Sequence, residues 1–96
     1  MSADPNSALQ LQTSLIEYPC DYPIKIMGQS QPGFAQEIVE IVSRYAPDFN
    51  PAAVEMRASK AHKYLSLTCT IHAQSKAQLD ALYQELCDHP RVVMVL

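Results

Sequence analysis

The stretch from Tyr22 to Val42 narrows the available folds most, because its apolar spacing changes period partway along. Tyr22-Pro23-Ile24-Lys25-Ile26-Met27 alternates with period two, as a half-buried strand does. The alternation stops at Gly28, and after Gln29-Ser30-Gln31 the chain reaches Pro32-Gly33-Phe34, where the spacing becomes helical. Phe34, Ile38, Ile41, Val42 and Tyr45 then form one apolar stripe, with Gln36, Glu37, Glu40 and Ser43 facing water. Pro32 suits the first helical position, since its ring presets φ and its missing N–H has no intrahelical partner there. A strand therefore passes through a glycine-punctuated turn into a helix that ends at Ala46-Pro47-Asp48.

After a turn at Asn50-Pro51, Val54 to Ser59 reads as a second strand, with Val54, Met56 and Ala58 inward and Glu55 and Arg57 outward. A charged outer row suits a sheet edge. Lys60 to Lys63 is a hairpin tip. The third strand is the most regular, placing Leu65, Leu67, Cys69 and Ile71 on one side and Tyr64, Ser66, Thr68, Thr70 and His72 on an open face. Ser75 and Gln78 form a capping box before the apolar stripe Leu79, Leu82, Tyr83, Leu86, and His89-Pro90 ends that helix. The last segment, Arg91 to Leu96, is a strand apolar on both faces.

Two split βαβ halves with right-handed crossovers make this an α+β chain, a ferredoxin-like βαββαβ sandwich. The expected sheet is antiparallel and four-stranded, of order 4-1-3-2, with both helices on one face. The fourth strand is then an edge, with Val93 and Val95 expected to be exposed as a dimer contact.

Length bounds the rest. Ninety-six residues allow one core, assigned to residues 15–96. Residues 1–14 are read as a loosely attached tail, and Leu15 to Pro19 as a short turn of helix. So small a domain buries only about 60 to 65% of its unfolded surface, which makes self-association expected. Seven basic residues against ten acidic ones, scattered along the chain, exclude a phosphate-binding face and with it nucleic acid as a partner. Cys20, Cys69 and Cys87 are odd in number, and Met1 to Asn6 has neither a basic start nor an apolar run, so a reduced cytoplasmic setting is expected. No stretch approaches the roughly 18 to 20 apolar residues that span a bilayer, so no membrane association is expected.

Leu15 to Leu96 resembles the YbeD-like family of small uncharacterised bacterial proteins. The likeness rests on Tyr18-Pro19, Lys25-Ile26-Met27-Gly28-Gln29, Pro32, Ser43-Arg44-Tyr45-Ala46-Pro47, Ser59-Lys60 with Tyr64, Leu82-Tyr83-Gln84-Glu85-Leu86 and Val95-Leu96. The fold this resemblance implies is similar to that of the ACT domain, an amino-acid-sensing regulatory module with a glycine turn after its first strand. Gly28 and Pro32-Gly33 occupy that turn here, although Gln29, Ser30 and Gln31 stand where such turns usually carry Asp or Asn.

Enzymes on this fold need side chains that the first turn lacks. An acylphosphatase-like hydrolase needs an Arg and an Asn there, and a copper chaperone needs two thiolates two residues apart. An RNA reader needs several aromatics on the open face, which offers only Tyr64. His62, His72 and His89 are too dispersed for a metal, Cys69 reads as a small buried hydrophobe, and Cys87 sits at the wrong end of a helix for activation. No catalytic residue, metal or cofactor is assigned.

Two readings remain. In one, a dimeric regulatory module holds a small anionic or zwitterionic metabolite at Gly28, Gln29, Ser30, Gln31 and Gly33, or at its dimer interface. In the other, the chain binds a protein through its open face, at Tyr64 and Thr68, or through Val93 and Val95 of the last strand.

Overall fold

The first strand outruns its apolar pattern. In the computed structural model, which describes residues 16–96, β1 spans Cys20–Gln29 and is followed by α1 (Phe34–Tyr45), a 3-10 turn (Pro51–Ala53), β2 (Glu55–Ala58), β3 (Tyr64–Ala73), α2 (Lys76–Asp88) and β4 (Val92–Val95). The sheet order is β2-β3-β1-β4, the expected 4-1-3-2 read from the other edge. β1 and β3 pair along their whole lengths, from Cys20 opposite Ala73 to Gln29 opposite Tyr64. The expected tail, residues 1–14, and Leu15 lie outside the described residues.

One side of this sheet carries the core. Tyr22, Ile24 and Ile26 of β1 and Leu67, Cys69, Ile71 and Ala73 of β3 pack with Phe34, Ile38, Ile41 and Val42 of α1 and Leu79, Leu82, Tyr83 and Leu86 of α2. Both helical stripes are thus buried on the same face, and Phe49, after α1, joins them. The molecule is only 19 Å thick, the depth of one sheet and one helix layer.

The ends of the helices are fixed by local chemistry. Gly33, not Pro32, caps α1, with φ 83° and ψ −6°. The Phe34 amide donates to the Gln31 carbonyl at 3.1 Å, so Pro32-Gly33 forms the middle of a tight turn in which glycine takes the left-handed position. Pro32 therefore serves the turn rather than the first helical position. At α2, the Ser75 hydroxyl accepts from the Gln78 amide at 3.1 Å, and Gln78 reaches back to accept from the Gln74 amide at 2.6 Å. The Gln78 amide group also donates to the Tyr45 carbonyl at 2.7 Å, tying the start of α2 to the end of α1.

Three further expectations change. Ile16 to Pro19 is irregular rather than a turn of helix, because Ile16 and Tyr18 both pack against the core at extended spacing. β2 has the predicted faces, but Met56 is 62% exposed and Ala58 is exposed too, because β2 is an outer strand and its helix-side row lacks the cover given to β1 and β3. In β4 the expected parity fails: Val92 lies opposite Gly28 and Met94 opposite Met27, so Val93 is an extra residue in a bulge. Val92 and Val95 consequently turn toward the helices. Val95 is buried, where exposure was expected, and only Val93 stays exposed.

Candidate functional site

The expected ligand turn divides into a sealed half and an open half. Gly28 is not in the turn; it lies inside β1, opposite Leu65 and Val92, and is buried. A Cβ there would sit 2.3 Å from Cζ of Phe34 and 2.6 Å from the Arg91 carbonyl oxygen. Gly28 therefore exists to let the Phe34 ring approach the strand closely, and no ligand can reach it. The Gln29 amide donates to the Arg91 carbonyl and the Ser30 amide to the Lys63 carbonyl, both at 3.0 Å, so these donors are already engaged.

The open half consists of exposed Gln29, Ser30, Gln31 and Gly33. Gln29, Ser30 and Gln31 line a shallow depression of about 280 Å³ with Lys63 and Tyr64. Gly33 has open space around it, its nearest neighbour being a Glu37 carboxylate oxygen 3.7 Å from where a Cβ would stand. No side chain caps the first turn of α1. Lys63 beside that turn is the local positive charge.

Behind the turn lies a polar cluster that sequence spacing gave no means to find, since Glu37 is more than 50 positions from its partners His89 and Arg91. His89 Nε2 lies 2.9 Å from one Glu37 oxygen, and Arg91 donates to the other at 3.0 Å. The Arg91 amide donates to His89 Nδ1 at 3.1 Å. Nδ1 must then be the acceptor, which leaves the proton on Nε2, pointing at Glu37. The His89 ring also meets Phe34 edge-on, 6.0 Å between centroids. This cluster fixes the α2–β4 junction against α1; it has no nucleophile.

The thiols are inert or peripheral. All are free: Cys69 is buried, Cys20 half-buried and Cys87 exposed. Burial pushes the Cys69 thiol up to about 11, and burial with the neighbouring Asp88 charge raises that of Cys87. Among the described residues no group of three His, Cys, Asp or Glu side chains is placed to hold a metal ion.

The second candidate is the uncovered side of the sheet. Strand pairing puts Arg57, Ser66, Met27 and Met94 in one row across it, and Glu55, Thr68, Lys25 and Leu96 in the next. Leu96 belongs there because its backbone exchanges two hydrogen bonds with Lys25. Tyr64, Met94 and Leu96 are 40%, 47% and 65% exposed. Lys25, Met27, Arg57, Ser66 and Tyr64 also line a depression of about 260 Å³. Tyr64 and Thr68 thus lie on the open face as expected, but its apolar content comes from Met27, Met94 and Leu96. The β4 bulge decides which way the last two point, so alternation alone could not assign them.

Comparisons with known proteins agree with this architecture. A protein of Nitrosomonas europaea, UPF0250 protein NE1487, is 61% identical over 85 residues, covering 88% of this chain and 98% of the relative. A UPF0250 protein of Bordetella pertussis is 54% identical over 85 residues, covering 88% of this chain and 93% of the relative. The solution structure of HP0495 from H. pylori superposes with a TM-score of 0.69 at 20% identity, covering 84% of this chain and 85% of that one. The crystal structure of the ACT domain from GTP pyrophosphokinase of Chlorobium tepidum gives 0.62 at 20% identity, covering 80% and 97%. Those two likenesses establish the fold. Residues 13–96 match the family described as Protein of unknown function (DUF493), and with such relatives the chain belongs to that family.

Proposed function

We propose that this protein is a non-catalytic regulatory module that acts by binding another protein on its open sheet face. The observation that carries this reading is the apolar strip of exposed Met94, Leu96 and Tyr64 around half-buried Met27, while every large apolar side chain on the opposite face of β1 is buried. An exposed apolar strip bordered by Lys25, Arg57 and Glu55 has the make-up of a protein contact, with an apolar centre and a charged rim. The three free thiols fit a reducing, cytoplasmic setting. Quantitative capture from cell extract tests the proposal. The wild type retains a saturable partner, Gln36→Lys on the exposed side of α1 retains it equally, and Met94→Lys loses it. A partner that binds Met94→Lys undiminished overturns the reading.

A second reading has its own support in the depression beside Lys63. There, Gln29, Ser30, Gln31 and Tyr64 offer polar groups around one cation, fitting a small anionic or zwitterionic metabolite. Thermal-shift measurements with amino acids and carboxylates test it: a ligand at 100 times its Kd stabilises the wild type by about 2.7 kcal/mol and Lys63→Ala by much less. No stabilisation by any of them removes this reading.

A further inference from the structure

Three basic side chains of this molecule are already neutralised: Arg44 pairs with Glu85, Lys76 with Asp80 and Arg91 with Glu37. Lys25 and Arg57 have no ion-pair partner among the described residues, although both stand on the open face of the sheet. Lys25 lies opposite Thr68 and Arg57 opposite Ser66, so the two cations flank β3 from its two sides, one two-residue step apart. Strand spacings put their Cα atoms roughly 12 Å apart, close enough for both long side chains to reach one group lying over Ser66.

Two depressions share Lys25, Arg57 and Ser66. One, of about 190 Å³, is also lined by Glu55 and Thr68; the other, of about 260 Å³, is lined by Met27, Ser59 and Tyr64 and contains no carboxylate. The Glu55 charge repels an anion from the first and leaves the second for it. The hydroxyls of half-buried Ser66 and of Tyr64 make no hydrogen bond among the described residues. Four donor side chains without a partner thus border the second depression, beside half-buried Met27.

We propose that this depression binds a small aromatic carboxylate. The two oxygens of a carboxylate offer about four acceptor sites, which the forked guanidinium of Arg57, the ammonium of Lys25 and the hydroxyl of Ser66 match. The ring lies against Met27 and Tyr64, where sulfur and aromatic contacts both favour it. An aliphatic carboxylate of the same charge forgoes that contact. The site shares Met27 and Tyr64 with the strip proposed as a protein contact, but the chain binds the carboxylate by itself, with or without a partner. It is also distinct from the depression at Lys63, in which Lys25 and Arg57 take no part.

Titration of the nitrogen-15-labelled chain with sodium 2-naphthoate to about 20 mM, at constant ionic strength and followed by amide NMR, tests the proposal. The wild type shows saturable shifts centred on Ser66, Met27 and Arg57, with a dissociation constant of about 1 mM, the affinity that a ligand of this size draws from a shallow site. Lys25→Gln and Arg57→Gln each weaken binding about fivefold or more, whereas Lys60→Gln, which removes a charge outside the depression, leaves it unchanged. Glu55→Gln binds at least as tightly as the wild type, and acetate binds about tenfold more weakly than 2-naphthoate. The amide spectrum of each variant shows that it is folded. No saturable shift with the wild type, shifts centred on Gln29 to Gln31 instead, undiminished binding by Lys25→Gln and Arg57→Gln, weaker binding by Glu55→Gln, or acetate binding as tightly as 2-naphthoate overturns the proposal.

Discussion

Gly28→Ala tests the claim that this glycine is a packing device rather than a ligand contact. Its added methyl group would stand 2.3 Å from the Phe34 ring and 2.6 Å from the Arg91 carbonyl oxygen, against the roughly 3.5 to 4.0 Å of ordinary contact. Neither neighbour yields easily. Phe34 is fully buried, and the Arg91 oxygen is backbone that already accepts from Gln29. The expected cost is near the top of the overpacking range, about 3 kcal/mol, or about 12 to 24 °C in Tm for a domain of this size. Gly33→Ala, with open space but φ 83°, pays only for the left-handed backbone, about 1 to 2 kcal/mol. Urea titration of both variants, with and without Phe34→Leu, separates the mechanisms. Shortening the ring should relieve Gly28→Ala by at least about 1 kcal/mol relative to additivity and leave Gly33→Ala additive. A Gly28→Ala protein within about 0.5 kcal/mol of wild type, a cost typical of sites without such a clash, or a fully additive double variant, would refute the packing argument.

Tyr83→Phe removes the hydroxyl that donates to the Val95 carbonyl and should cost about 1 kcal/mol in a urea titration; an unchanged midpoint would show that this buried bond contributes nothing. His89→Ala, which removes one of the two partners of Glu37 and the acceptor of the Arg91 amide, should cost about 1 to 2 kcal/mol, and nitrogen-detected NMR should find the native ring protonated at Nε2. Of the three thiols, Cys87 should react first with a disulfide reagent and Cys69 only on unfolding. Because unfolding returns the Cys69 thiol from about 11 to 9.0, the unfolded chain holds fewer protons between those values. Its stabilising contribution is whole below pH 9.0 and lost by about pH 11, so denaturation midpoints should fall over that interval and less so in Cys69→Val.

The helical and strand periods carried most of the fold. Phe34, Ile38, Ile41 and Val42 are buried as their spacing requires, and so are Leu67, Cys69 and Ile71. Periodicity says which way a side chain points, not what stands over it, which is why Met56 faces the helix side and is still exposed. It also fails where strands are apolar throughout: from Val92 to Val95 nothing marks the bulge, and one extra residue reverses Met94 and Val95. Gly28 was legible in principle, since a lone glycine within a strand pattern signals close approach by another group. The approaching group is Phe34, six positions on, and only the tight turn at Pro32-Gly33 brings its ring back over the strand. The Glu37–His89–Arg91 cluster joins distant segments, and no local spacing announces it.

The 19 Å slab limits what one copy can do alone. With a single coat of side chains between sheet and helices, the described residues leave no depth in which to enclose even a small molecule, so anything they recognise by themselves would be met on their skin. Changing specificity would then require altering only outward-facing rows such as Arg57, Ser66, Met27 and Met94, leaving the hydrophobic filling undisturbed.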